Sequence, residues 1–275
     1  MRSCFLRSSD QTNKLVRHYL QLSSSYSEHT DRFIPDGNVA LVFNFVDNNA
    51  SFMIEENIPL PYHFITLPAI KSLKIKTAAY AESFIVICKA SVFTRLFNIQ
   101  LRESDNFPFS CVDLFNNFPM YNMLKDLSTF HQRVAFFESY LIEKSLLNKY
   151  EFDEIDEVYE DIMNSKGDIK ISELMNNLAM NPRSFRRKFT QRVGISTKEL
   201  LRIVRVNYVW NLCRDKNQLD FLNVVYNCHY FDQSHFIHDF KKIVGETPCE
   251  FFRRELNVVE FLSGKQSTNP EVFEF

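Results

Sequence analysis

The chain has 275 residues, of which 45% are apolar and 24% charged, with a formal net charge of −2. That balance belongs to folded globular proteins and excludes a disordered chain, and the length allows two domains of ordinary size. No apolar run nears the roughly 18 residues of a membrane-spanning helix, so no membrane partner is expected.

In chain order, the opening MRSCFLRSSDQTNK is basic without a sustained apolar stretch and does not read as a secretion signal. The turn Pro35-Asp36-Gly37 precedes NVALVFNFV (38–46), a β-branched and aromatic run that predicts a strand. Further strands are expected at 51–55, 62–67, 72–77 and 82–88, with Pro59, Pro61 and Pro68 as punctuation. From about 119 the apolar spacing changes to three and four residues, predicting helices over 119–131 and 131–149. The acidic stretch 151–168 predicts another helix, ending at Gly167, where the domain boundary is expected. Residues 263–275 read as a poorly anchored tail. With only five Gly and 28 Phe, the packing should be compact and aromatic. The six cysteines (Cys4, Cys88, Cys111, Cys213, Cys228, Cys249) form no C-x-x-C pair and are expected as buried free thiols in a reducing cytosol.

The charge is unevenly spread. Residues 170–255 hold 15 Lys/Arg against 9 Asp/Glu, and the chain total of −2 therefore leaves a net −8 for the rest. A basic module joined to an acidic body is the footprint of a nucleic-acid binder.

The same region repeats itself at an offset of 51 residues. Phe185, Phe189 and Gly194 become Phe236, Phe240 and Gly245, and Glu199-Leu200-Leu201-Arg202 becomes Glu250-Phe251-Phe252-Arg253. Asn181 matches Asp232, both favoured helix N-caps, and Pro182 follows at the first helical position. A shorter amphipathic segment precedes each copy, at 171–179 and 219–227, and a helical pattern without a breaker (198–213) joins them. The expected order is helix-turn-helix, connecting helix, helix-turn-helix, with the second helix of each unit at about 182–193 and 233–244.

In the first copy the Phe185/Phe189/Val193 stripe must face a partner helix. The other side then carries Arg183, Arg187 and Thr190, flanked by Arg186, with Ser184 near the cap. Clustered arginine opposite an apolar stripe suits the major groove, where Arg bonds guanine O6/N7 or neutralises phosphates. The second copy offers Gln233, Ser234, His235, His238, Lys241 and Lys242, a polar face with less positive charge. A basic run such as Arg186-Arg187-Lys188 is by itself usually a solvated face. The repeat, with matched caps and matched polar faces, favours double-stranded DNA as the partner.

These residues resemble the DNA-binding domain of AraC/XylS-type transcriptional regulators. The resemblance is carried by ISELMNNLAMNPRSFRRKFTQRVGIS and by NVVYNCHYFDQSHFIHDFKKIVGETPCEFFRR, which holds the aromatic-x-D-Q-S-x-F-x-x-x-F-K-K-x-x-G-x-T-P signature. It implies a bacterial, cytoplasmic regulator that inserts two recognition helices into successive major grooves. Arg183, Arg186 and Arg187 would then occupy base-reading positions, and Arg205 a structural one. His229 stands where the family's turn glycine is usual, and His238 where Arg is frequent. The N-terminal region, through 34–45 and 84–98, resembles more weakly the sensor-like domains found upstream of such units. That implies a small-molecule effector or dimerisation, a homodimer and, for an activator, contact with RNA polymerase.

The expected architecture is α+β. A β-rich N-terminal domain with flanking helices (1–165) is followed by an all-α DNA-binding domain (169–256) and a flexible tail (263–275). Cys228, His229, His235 and His238 raise a metal site, since His235-x-x-His238 can share a helix face, but all four fall inside the repeat. Asp36 with Glu55 and Glu56 lacks any nucleophile or base arrangement, and no phosphate-binding glycine loop occurs. No metal, no cofactor and no enzymatic activity are expected. The competing functional readings are a constitutive regulator whose N-terminal domain only dimerises, and an architectural DNA-binding protein.

Overall fold

The computed structural model describes residues 2–23, 29–45, 51–53, 58–77, 79, 81–99, 109–110, 113–115, 118–176, 178–214, 227–252 and 273–274. Seven strands form one antiparallel sheet: β1 (Arg2–Arg7), β2 (Val16–Ser23), β4 (Val39–Phe45), β7 (His63–Thr66), β9 (Glu82–Cys88), β10 (Phe109–Ser110) and β11 (Phe273–Glu274), in the order β10-β7-β4-β9-β2-β1-β11. A second sheet holds β3 (His29–Phe33), β5 (Ser51–Met53), β6 (Ile58–Pro59) and β8 (Leu73–Thr77), in the order β3-β8-β5-β6.

The central strands β4 and β9 are buried along most of their length because the large sheet is covered on both faces. Successive side chains alternate between the faces. Tyr19, Leu41, Phe43, Phe84 and Val86 join the core shared with the helices. Leu20, Ala40, Val42, Phe64, Ile85 and Ile87 join a second core that includes Ile75 of the small sheet.

The α-helices fall into two groups. Those of the N-terminal half are α1 (Ala90–Phe97), α2 (Met120–Asp126), α3 (Phe130–Leu147) and α4 (Glu154–Asn164). The C-terminal region holds α5 (Ile171–Asn176), α6 (Pro182–Val193), α7 (Thr197–Arg214), α8 (Gln233–Val244) and α9 (Pro248–Phe252). Helix α3 starts on a reciprocal capping box of Thr129 and Gln132, and α4 on one of Asp153 and Asp156. Phe137 of α3 reaches Phe43 and Phe84 on the sheet, at ring separations of 6.0 and 6.3 Å.

The expected α+β architecture is the one observed, with differences in detail. Three strands, β1 to β3, precede the first one expected. Arg17, His18 and Gln21 interrupt the apolar pattern of β2, so it does not announce itself. The expected helix pair 119–131 and 131–149 is α2 and α3, and α1 was not anticipated because its apolar residues continue the run of β9 without a break. The segment expected at 219–227 lies outside the described residues except Asn227, as does all of 263–275 except Phe273–Glu274, which pairs with β1. The expectation of buried thiols needs one correction: Cys88 and Cys228 are buried and Cys4 half-buried, but Cys249 is exposed at the start of α9.

The two halves share one continuous apolar core. Helix α1 packs on α6, and α4 packs on α6 and α7. Tyr159 of α4 is fully buried, and its hydroxyl donates to Asn38 Oδ1 at 2.8 Å. Glu160 holds Arg17 through two bonds of 2.7 and 3.0 Å and Lys89 at 3.2 Å. The Pro35-Asp36-Gly37 turn is where the connecting helix seats. Asp36 Oδ1 accepts from Asn38 N at 2.9 Å, the turn role anticipated for it, and Pro35 O accepts from Asn207 Nδ2 at 2.8 Å.

Gly37 has φ +84, and a Cβ placed there would overlap the Leu200 side chain of α7. Gly37→Ala is expected to destabilise the fold by about 1–3 kcal/mol, read as a lower urea midpoint. His18 gives a pH dependence. Burial, with Arg17 and Arg7 adding repulsion, pulls its pKa down to about 3, so the folded chain holds it neutral. The unfolded chain binds that proton below about pH 6.5. The stability is therefore complete above pH 6.5 and falls by up to about 1.4 kcal/mol per unit as pH drops towards 3. Urea titrations of wild type and His18→Gln at pH 7 and pH 5 should show a smaller drop for the variant.

Candidate nucleic-acid interface

Helices α6 and α8 are built alike. Asn181 Oδ1 accepts from Ser184 N at 2.9 Å, and Asp232 Oδ1 accepts from His235 N at 2.7 Å. Pro182 occupies the first turn of α6, where its missing N–H leaves nothing unpaired. Phe185, Phe189 and Val193 are fully buried in one helix; Phe236, Phe240, Ile243 and Val244 are buried in the other. Gly194 and Gly245 close the helices at φ +87 and +90, each donating its N–H to the carbonyl four residues back.

The repeat extends further than the residues first matched. Ser196 and Glu199 form a reciprocal capping box at the start of α7, and Thr247 and Glu250 form the same box 51 residues later at α9. The S/T-x-x-E spacing was the signal available in the sequence for this pair.

Opposite the buried stripe, Arg183, Arg186 and Arg187 are exposed, while Ser184 and Thr190 are half-buried. On α8, Gln233, Ser234, His235, His238, Lys241 and Lys242 are all exposed. The two faces differ in one position that sequence reasoning passed over. Lys188 is exposed on α6, but its counterpart Asp239 is 1% exposed and lies 3.6 Å from Arg202, 3.7 Å from His235 and 3.7 Å from His238. Both histidines of the second face thus lie beside one buried carboxylate.

The four residues that raised a metal site do not converge. Burial pushes the Cys228 thiol up to about 11, which disfavours a ligating thiolate. His229 turns to Asp168 at 3.2 Å, and no cluster of three or more metal-ligating side chains occurs among the described residues. Arg205 donates to Gly167 O at 2.9 Å and lies 5.2 Å over the Tyr230 ring, so it ties the joint between the halves to the second unit.

The C-terminal ends of both helices are held by the N-terminal half. Thr94 Oγ1 of α1 donates to Arg192 O at 3.2 Å, and the Arg192 guanidinium pairs with Asp153. On the other side Ser72 donates from its N–H to Ile243 O at 2.7 Å and from its hydroxyl to Val244 O at 2.6 Å. Arg32 donates to Val244 O at 2.8 Å and pairs with Glu246. A helix leaves its last carbonyls without intrahelical partners and carries partial negative charge there, so these donors complete both helix ends.

His229 adopts φ +55, the left-handed conformation that the family's turn glycine would take without strain. Its pair with Asp168 joins two exposed side chains and contributes little. His229→Gly is therefore expected to raise stability by about 1 kcal/mol, measured as an increased urea midpoint.

Residues 174–254 match the family model described as a helix-turn-helix domain. No curated protein sequence matches the chain. Among solved structures, ToxT from Vibrio cholerae is similar with 12% identity and a TM-score of 0.44, covering 91% of this chain and 98% of that one. A structure of unsaturated fatty acid bound wild-type ToxT from Vibrio cholerae strain SCE256 is also similar, at 12% identity, TM-score 0.44 and coverages of 90% and 95%. ToxT from Vibrio cholerae O395 is 15% identical with a TM-score of 0.39, over 92% and 96%. The capped, glycine-closed repeat and the domain match coincide on the same residues: over 174–254 the chain carries a DNA-binding helix-turn-helix domain of the AraC type, as found in transcription regulators.

Proposed function

We propose that this regulator reads DNA sequence by laying α6 and α8 into successive major grooves, with Arg183, Arg186 and Arg187 making the direct base contacts. The observation that carries this reading is the exposed arginine face of α6, set opposite a fully buried Phe pair and repeated in architecture 51 residues later. The α8 face, with Gln233, Ser234, His235, His238, Lys241 and Lys242, contributes fewer fixed positive charges and serves mainly to position the protein through phosphates. Ser184 and Thr190, at the edges of the α6 face, complete the contact surface. Such a protein acts at the bacterial nucleoid, in the cytoplasm, as a homodimer, with RNA polymerase as partner if it activates.

The N-terminal half is proposed to act first as a clamp on the two helices. The space between its two sheets, bordered by Arg32, Phe33, Leu67, Leu73 and Ile87, amounts to about 60 Å³. Sites for drug-sized ligands occupy roughly 300–1,000 Å³. That size disfavours a ligand between the sheets. A larger cavity of about 580 Å³ lies where α1 and α4 meet α6, lined by Thr94, Asp153, Lys188 and Arg192, so a binding assay and not cavity size separates the effector reading from the constitutive one.

Arg186→Ala or Arg187→Ala is expected to cost about 1–3 kcal/mol of binding and to relax preference at one base pair, while Lys241→Ala weakens binding evenly across sequences. Gel-shift titrations on duplexes selected by the wild-type protein check this. Undiminished affinity and preference in both arginine variants would remove them from the base-reading role.

A further inference from the structure

Phe231 is 91% exposed, more than any other large apolar side chain among the described residues. It is held there by ordered neighbours. Tyr230 before it is buried, and Asp232 after it caps α8. A hydrophobic residue at this place, just before the cap, often packs on the fourth helical residue and fixes the chain's entry angle. Here Tyr230 occupies that role, with its ring 5.4 Å from that of Phe236. The equivalent residue in the first copy, Met180, is half-buried and packed against the core. The second unit alone therefore presents a spare aromatic ring.

That ring adjoins the N-terminal end of α8, beside exposed Gln233, Ser234 and His235. In helix-turn-helix proteins this end of the recognition helix approaches the base edges. The apolar group that DNA offers in the major groove is the C5-methyl of thymine, and phenylalanine is one of the side chains that packs on it. We infer that Phe231 is a specificity-determining residue whose ring packs against a thymine methyl at the edge of the groove that α8 enters. This rests on the proposed insertion of α8. It adds apolar readout to a face whose other contacts are polar.

The experiment uses the full chain and duplexes enriched from a random pool by the wild-type protein. Each thymine in the half-site facing α8 is replaced in turn by deoxyuridine, which removes only the methyl. Wild type is expected to lose about three- to tenfold in affinity at one such position, as the burial of a single methyl predicts. Phe231→Ala should bind the thymine duplex more weakly by a similar factor and be indifferent to uracil there. Phe231→Leu, which stays apolar, should retain part of the discrimination. Equal responses of wild type and Phe231→Ala to every replacement would overturn the assignment, including the case in which Phe231 serves a protein partner. Arg186→Ala separates the two levels. Weakened binding in that variant with no thymine effect removes Phe231 alone, whereas no effect of Arg186→Ala or of any base change removes the insertion reading as well.

Discussion

The carbonyl groups at the ends of α6 and α8 are the constraint around which the molecule is arranged. Every helix terminates with acceptors that its own backbone cannot satisfy. Here the partners come from the other half of the chain: Thr94 for α6, and Ser72 with Arg32 for α8. Arg32 adds positive charge where the helix dipole is negative, so charge and hydrogen bonding act together. Because both helices are gripped at their C-terminal ends, their N-terminal ends and polar faces are the parts left to solvent. Orientation of the polar faces of α6 and α8 is thus a property of the whole chain.

Such a grip needs a rigid base, and the large sheet supplies it. With one face against the helices and the other against the small sheet, its strands bury both sets of alternating side chains. Tyr159 and Glu160 transmit this rigidity to α4, and the Pro35-Asp36-Gly37 turn to α7. The sheet and the C-terminal helices thus share one apolar core, with Arg205 closing the joint at Gly167.

Helices α6 and α8 differ through substitutions at matched positions. Arg187 corresponds to His238, Arg186 to half-buried Ile237, and Lys188 to buried Asp239. Each change removes fixed positive charge from the second unit, and buried Asp239 lies 3.7 Å from both His235 and His238. The first helix keeps long, always-charged side chains suited to guanine and phosphate. The second is left with short polar groups, two lysines and an exposed ring.

Local sequence alone determined the recognition unit. N-caps, a proline in the first turn, a Phe pair one turn apart and a closing glycine are local chemistry repeated at a fixed offset, and α6 and α8 fall at 182–193 and 233–244 as their residues dictate. The central strands were legible for the same reason, since β4 and β9 are apolar along most of their length. Strand β2 was not, because its polar residues Arg17 and Gln21 find their partners, Glu160 and Arg133, only in the folded chain. Nor could the sequence reveal that Ser72, Thr94 and Arg32 complete the recognition helices. Those contacts join residues 98, 172 and 212 positions apart, and only the tertiary fold brings such donors to carbonyls whose need for them is written into every helix end.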